Sequence, residues 1–145
     1  MVIIERPNLR LEWIEPDNIL KKTCSGFVTS EALREVYEAG LAELVRRRVS
    51  KVLSDNRELV PAPQDMLEWI EKDWTPRMAH AGWRHWAVIE PANPLGAMSA
   101  RRWIQIYRRH RVQVEVFHAE PEALAWLRAQ PVEAQAAAPR PRSPR

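Results

Sequence analysis

Asp55, Asn56 and Arg57 are three adjacent polar side chains whose placement could serve recognition or catalysis. They follow a short β-branched segment, residues 49–54, that is typical of a strand, and a helical pattern begins a few residues later. Partners and ligands of α/β sheets bind in the crevice outside the carboxyl ends of parallel strands. The sequence therefore predicts a partner-binding loop here, with an Asx turn that caps the connection as the structural alternative.

Two tryptophans extend this candidate site. Trp69 falls outside the i, i+4 apolar stripe of its helical pattern, and Trp83 adjoins Gly82 in a predicted turn. The chain contains seven tryptophans, and most must be core. We expect one or both of Trp69 and Trp83 to be exposed, because an exposed tryptophan is a typical anchor for a partner. The alternative for both is lateral packing on a neighbouring helix.

The remaining reactive side chains do not form a catalytic or metal-binding pattern. Glu68, Glu71 and Asp73 are close in sequence, but we place them on the solvent face of a helix as ordinary surface charge. The four histidines lack metal-ligand spacing, and Cys24 is interpreted as a buried, inert thiol. The sequence shows neither a glycine-rich phosphate loop nor a nucleophile elbow. We therefore predict a protein that is not an enzyme and binds no cofactor or metal.

Strand and helix patterns alternate along the chain and must position these residues. Strand patterns occupy residues 9–13, 19–27, 49–54, 86–90 and 112–116. Helical patterns follow Thr29 or Ser30, Pro63, Ser99 and Pro121. The order predicts an α/β fold: a small mixed, mostly parallel sheet of about five strands, with an N-terminal antiparallel hairpin and about four helices.

Two residues inside the helical patterns carry predictions of their own. Gly40 lies in the stripe of the first helix, where glycine costs about 1 kcal/mol relative to alanine, so another element should pack closely against it. Pro76 should kink or divide the second helix at Thr75, since proline has no backbone N–H to donate.

Composition bounds the domain organisation and the partners. The 145 residues fit one domain over 1–130, followed by a disordered Ala/Pro/Arg tail over 131–145. The tail holds three arginines and one glutamate against a net charge of +3 for the whole chain, so the folded part is nearly neutral. That balance disfavours a nucleic-acid partner. A single cysteine and no long apolar run favour a cytoplasmic protein without a membrane anchor.

Several short segments resemble the SpoIIAA-like, STAS-related superfamily over roughly residues 9 to 128. The segments are a strand ending in Asp-Asn, a helix rich in Trp and Pro, an apolar strand and a closing Glu-Ala-x-x-Trp-Leu helix: residues 51–57, 69–82, 87–89 and 116–127. The resemblance implies a bacterial β/α domain used in protein–protein regulation, as in anti-sigma factor antagonists, or as a module in transporters and sensors.

The chain departs from this family at the phosphorylated residue. Family antagonists have a phosphorylatable Ser or Thr just after an Asp in the loop that follows this strand. Here Asp55 is followed by Asn56, Arg57 and Glu58, and no hydroxyl residue occurs until Thr75. Ser54 precedes Asp55 inside the predicted strand, so we do not assign the phosphosite to it. The kinase-driven switch is therefore not predicted.

These observations lead to a regulatory or protein–protein interaction domain as the predicted function. The partner is another protein or a second copy of this chain, bound through the Asp55 loop and the face of the Trp-rich helix. The alternative is binding of a small apolar ligand between a helix and the sheet, because the chain is rich in aromatic surface. A weaker alternative is nucleic-acid contact through Arg108, Arg109, Arg111 and the tail arginines.

Overall fold

The sheet contains six strands within the part of the chain that the computed structural model describes, residues 1–91 and 93–131. They are β1 (Val2–Arg6), β2 (Leu9–Ile14), β3 (Ile19–Cys24), β4 (Lys51–Asp55), β5 (His85–Ile89) and β6 (Gln113–Phe117). They lie side by side in chain order. β1, β2 and β3 are antiparallel neighbours, and β3, β4, β5 and β6 are parallel neighbours. The predicted mixed, mostly parallel sheet is confirmed.

The helices cover the two faces of the sheet unequally. They are α1 (Ser30–Arg47), α2 (Gln64–Trp69), a π-helical turn (Ile70–Trp74), α3 (Thr75–Ala81), α4 (Pro94–Arg109) and α5 (Glu120–Ala129). α1 to α4 bury the larger core on one face, and α5 packs alone on the other face, against Ile19, Leu53, Ala87 and Ile89. The predicted tail lies outside the described residues, apart from its first residue, Pro131.

One strand was not predicted from the sequence. β1 adds a second antiparallel pair at the amino terminus, so the sheet has six strands where about five were expected. Its apolar residues form a continuous run rather than an alternation, and its register with β2 shifts between Val2 and Ile4. This irregularity removes the period-two pattern by which a half-buried strand is recognised.

Helix α1 confirms the clearest of the sequence predictions. The Thr29 hydroxyl accepts a hydrogen bond from the Ala32 amide at 3.1 Å and caps the helix. The helix ends at Arg48, which has a left-handed φ of 53°. Gly40 faces β2, and a Cβ at Gly40 would lie 3.8 Å from Leu11 Cδ2. The expected close packing at this glycine is not found, because an added Cβ would make only an ordinary van der Waals contact and Gly40 lines a small cavity.

Pro76 divides the second helical region without ending it. The N–H that proline lacks would otherwise bond to a carbonyl four residues earlier. The chain widens into the π-helical turn Ile70–Trp74 directly before α3, and the Thr75 hydroxyl donates to the Ile70 carbonyl at 2.6 Å. The predicted division of the helix at Thr75 is confirmed. The helix is divided by a π-helical turn and not by a sharp kink.

Long-range polar contacts hold α5 against the sheet at both of its ends. Lys21 Nζ lies 2.7 Å from Glu120 Oε1 at the first turn. At the other end, Arg128 Nε donates to Asp17 at 2.8 Å, and the buried Lys51 ammonium donates to the Gln130 carbonyl at 2.9 Å. Burial lowers the pKa of Lys51. These contacts fix the position of α5 along the sheet, with its last turn near the amino end of β4.

Gly40→Ala is expected to stabilise the protein by up to about 1 kcal/mol, because alanine has the higher helix propensity. The added methyl would make an ordinary van der Waals contact, 3.8 Å from Leu11 Cδ2. Urea denaturation monitored by circular dichroism measures the change in free energy of unfolding.

Gly82→Ala is the matched control for this substitution. Gly82 follows α3 with φ of 125°, a backbone conformation that alanine adopts only with strain, so this variant should be destabilised. A Gly40→Ala variant that is less stable than the wild type would contradict the packing described for β2 and α1.

Candidate functional site

The predicted binding loop is split between the two faces of the sheet. Asp55 is the last residue of β4 and pairs in register with Thr23 and Ile89. Because side chains alternate along a strand, Asp55 shares the α5 face with Leu53. Asn56 points to the opposite face, where it lines a cavity beneath α1 and α4. The adjacent residues of the loop therefore serve different surfaces.

Asp55 and Arg57 form a closed ion pair. The Arg57 guanidinium donates through Nε to Asp55 Oδ1 at 3.0 Å and through NH2 to Oδ2 at 2.7 Å. The Arg57 backbone amide also donates to Asp55 Oδ1, at 3.3 Å, so the predicted alternative of an Asx turn is present. The hydrogen bonds from Arg57 lower the pKa of Asp55 against the opposing effect of burial, and Lys21 adds to the lowering.

A neutral cluster of charges surrounds this ion pair. The Lys21–Glu120 pair lies on the same face of the sheet, and Glu120 acts electrostatically on Arg57. Asp55 and Arg57, with Glu58 beyond them, line an open groove of about 380 Å³ at the carboxyl ends of β3 and β4. Cationic and anionic groups alternate here, so the groove has no strong net charge to attract an ion.

Asn56 is held by its backbone and has a free side-chain oxygen. Its amide donates to the Ile89 carbonyl at 2.9 Å, and its carbonyl accepts from the Leu59 amide at 3.1 Å. The residue is only 6% exposed, and its Oδ1 has no hydrogen-bond partner among the described residues. A buried acceptor without a donor is unfavourable by roughly 1–3 kcal/mol, so this atom identifies a place where a donor would be stabilising.

Trp83 is not exposed, and the expectation that it could form part of an exposed patch is wrong. Its side chain is 1% exposed, and its Nε1 donates to the His85 carbonyl at 3.2 Å. Its ring lies 4.8 Å from Tyr107 and 5.7 Å from Trp74. The reason is local: Gly82 turns the chain with φ of 125°, and Trp83 enters the core before β5 begins.

Trp69 is half-buried and packs sideways on α1. Arg34 Cζ lies 4.9 Å from the centre of the Trp69 ring, and the Tyr37 ring lies 6.4 Å away. The Arg34 contact has the geometry of a cation–π interaction. The structure thus shows lateral helix packing, which was the alternative for this residue, and not a freely exposed anchor.

Neither hydroxyl residue that brackets the loop is available for modification. Ser54 is buried in β4, where its Oγ accepts a hydrogen bond from Trp86 Nε1 at 2.7 Å. Thr75 is buried and bonded to the Ile70 carbonyl. This geometry agrees with the prediction that Ser54 is not the family phosphosite.

The three acidic side chains that the sequence analysis placed on the solvent face of the second helical region are ion-paired. Glu68 pairs with Lys72 at 3.2 Å, Asp73 with Arg77 at 2.7 Å, and Glu71 with Arg102 at 3.3 Å. Within residues 1–91 and 93–131, no group of three or more His, Cys, Asp or Glu side chains is placed to hold a metal ion. No helix in this part of the chain has the length and apolar character needed to cross a bilayer.

Two features of the site escaped the sequence analysis. The first is a set of exposed apolar side chains in the segments that follow β3, β4 and β5: Phe27, Val60 and, in α4, Met98. The second is Lys22, which faces the aromatic core between Leu20 and Cys24 and donates to the Tyr37 hydroxyl at 3.0 Å. A cation at an alternating core position of a strand was a signal that sequence could have provided.

Comparison with known proteins bears on the fold. No protein-family model matches the chain, and a search of curated proteins finds no match. Among solved structures, the chain is similar to a protein from Thermotoga maritima described as a candidate anti-sigma factor antagonist. The similarity has a TM-score of 0.54 and 13% identity, and it covers 83% of this chain and 94% of that one. The chain therefore shares the fold of that protein, an α/β fold as the sequence predicted.

Proposed function

We propose that this chain is a regulatory protein-interaction domain, whose partner docks at the carboxyl ends of β3, β4 and β5. The observation that carries the proposal is the set of exposed apolar side chains there: Phe27 is 65% exposed, Val60 43% and Met98 64%. We call Phe27, Arg57, Val60 and Met98 the docking face. The proposal assigns no reaction to the chain.

The fold supports the idea that these side chains belong to one surface. Phe27 follows β3, Val60 follows β4, and Met98 lies in the first turns of α4, which follows β5. The three strands are parallel neighbours, so their carboxyl ends meet at one edge of the sheet. Exposed apolar side chains that gather at one place mark interaction surfaces more often than scattered ones do.

Arg57, the charged residue of the docking face, already has an ion-pair partner, which supports recognition mainly through apolar contacts. The fixed position of this ion pair would orient the bound partner. The Arg57 guanidinium is half exposed but already paired with Asp55. The pair is held by two hydrogen bonds, so little entropy remains to be lost when a partner packs against it. The partner is therefore expected to contribute apolar side chains, with one polar group placed to meet Arg57.

The description of the structurally similar protein from Thermotoga maritima supports a partner that is a different protein and not a second copy of this chain. That protein is described as a candidate antagonist of an anti-sigma factor, a role exercised on another protein. Ser54 and Thr75 are both buried and bonded, so we propose docking that does not depend on phosphorylation in the connection after β4. Of the residues predicted from sequence, Asp55 and Arg57 stay in this proposal, and the buried Trp83 leaves it.

Photo-crosslinking in cells tests the docking face. A photoreactive phenylalanine analogue placed at Phe27 or Val60 should give a discrete adduct with a second protein, which mass spectrometry identifies. Val45 is the matched control, since it is 58% exposed but lies near the end of α1, before β4 begins.

With the purified partner, Phe27→Ser combined with Val60→Ser should weaken binding by about tenfold or more, and Val45→Ser should not.

Three outcomes would count against this proposal. Equal adducts from positions 27, 60 and 45 would show that the reaction is unspecific. Adducts at position 45 alone would place the interface at the other end of the sheet. An adduct of two copies of this chain, with dimerisation lost in the double variant, would replace the heterologous partner with self-association.

The Asp55–Arg57 pair makes a prediction about pH. In Arg57→Gln the hydrogen bonds from the guanidinium are gone, so the pKa of Asp55 should rise, as NMR titration of its carboxyl would show. Because the folded-state pKa is depressed, the pair stabilises above the unfolded-state pKa of about 3.9, and its contribution fades as pH falls through the folded-state value. The variant should lose about 1 kcal/mol or less near neutral pH and nothing in strong acid.

Arg10→Gln is the control for this substitution. Arg10 pairs with Glu5 at 2.7 Å on the open face of the sheet, with both side chains exposed. Its loss should leave the titration of Asp55 unchanged. An Asp55 pKa that does not move in Arg57→Gln would refute the assigned cause of the shift.

A further inference from the structure

Two adjacent cavities lie between the sheet and the helices on the α1–α4 face. The smaller, of about 50 Å³, is enclosed by the tryptophan-rich core near Gly40. The larger, of about 160 Å³, lies beneath the connection between β4 and α2. Lys22, Tyr37, Trp86 and Tyr107 line both, so the two cavities share one cation and three aromatic side chains.

The larger cavity has the volume of a single ring. An engineered apolar cavity of about 150 Å³ in another protein binds benzene. Here the wall is formed mostly by apolar side chains, with four aromatic rings, those of Tyr37, Trp86, Trp103 and Tyr107. Burial raises the pKa of Tyr107 well above its usual value, so its ring stays neutral. The wall favours a flat, apolar body.

Two polar groups interrupt this apolar wall. Asn56 is 6% exposed, lines the cavity and carries an Oδ1 without a donor among the described residues. Lys22 places its ammonium 3.0 Å from the Tyr37 hydroxyl, and within the described chain no carboxylate forms an ion pair with it. Burial lowers the pKa of Lys22, the Tyr37 hydroxyl raises it, and the net direction is upward, so the ammonium stays charged.

The backbone positions of these two residues suit a small ligand. Lys22 pairs in register with Ser54, and Asn56 lies two residues further along the same face. Two residues of strand span about 7 Å along the sheet, about the length of a ring with a substituent at each end, and both side chains line the cavity. The outer wall is the connection after β4, where Val60, Pro61 and Gln64 are exposed and line the cavity, so a ligand can enter from solvent there.

We propose that this cavity binds a single-ring carboxylic acid that carries a hydrogen-bond donor. The carboxylate pairs with the Lys22 ammonium, the ring packs on Tyr37, Trp86 and Trp103, and the donor bonds to Asn56 Oδ1. This assignment goes beyond the docking proposal and does not depend on it, since it concerns the purified chain alone.

Calorimetric titration of the full chain with three matched probes tests the proposal. 4-Hydroxyphenylacetate has the acid and the donor, phenylacetate lacks the donor, and 4-hydroxyphenethyl alcohol lacks the charge. The hydroxylated acid should bind most tightly. Lys22→Met should weaken binding of both acids by about tenfold or more and leave the alcohol unchanged, because a charged hydrogen bond contributes that much. Lys72→Met removes an exposed lysine and should change nothing.

Further variants keep the test decisive if Lys22→Met does not fold. Leu59→Trp fills the cavity from its half-buried outer wall and should abolish binding of every probe while the circular dichroism spectrum is retained. Asn56→Ala should remove the preference for the hydroxylated acid over phenylacetate. Equal binding of the acids and the alcohol, retained acid binding in Lys22→Met, or no binding of any probe at millimolar concentration would overturn the proposal.

Discussion

β3, β4 and β5 are parallel and pair residue by residue, so residues that pair across the three strands point to the same face of the sheet. The face that a side chain occupies therefore follows from its position along its strand. Leu20, Val52 and Trp86 share the face covered by α1 to α4, and Leu53 shares the other with α5. The same alternation continues for one residue beyond the end of β4. It sends Asn56 into the aromatic core, while Asp55 stays beside α5. One polar sequence thereby supplies two surfaces with different chemistry.

Unequal covering of the two faces explains why a cavity exists on one of them. α5 meets the centre of the sheet with the small and branched side chains Ala123 and Leu127, and Trp126 packs at the side of this cluster. On the other face Trp83, Trp86 and Tyr107 meet edge to face, with ring centres 4.8 to 6.3 Å apart. Rigid rings in such contacts cannot adjust to every gap, so space remains between them. The abundance of tryptophan thus both builds the core and leaves it incompletely filled.

Sequence predicted those parts of the structure that repeat along the chain. α1 and the parallel strands have clear periods, and the Asx turn at Asp55 follows from local chemistry. Trp83 was misplaced because a neighbouring glycine suggests an exposed turn, whereas the direction of the chain after Gly82 is set by the core. The cavity at Asn56 was only a general expectation, since empty space depends on how side chains from many separate elements meet. A periodic sequence pattern predicts a single helix or strand, so it does not predict the gaps between several of them.

The chain-order arrangement of the strands has a consequence for how the protein is made. Every strand of the described sheet lies beside its immediate predecessor, so a strand emerging during synthesis finds its partner already present. The sheet can therefore grow in the direction of translation, with each step closing only one connection. α5 is the exception, because its contacts reach back to Asp17 and Lys21 in the β2–β3 hairpin. Its docking ties the last helix of the described residues to β3 and to the turn before it, about 100 residues earlier in the chain.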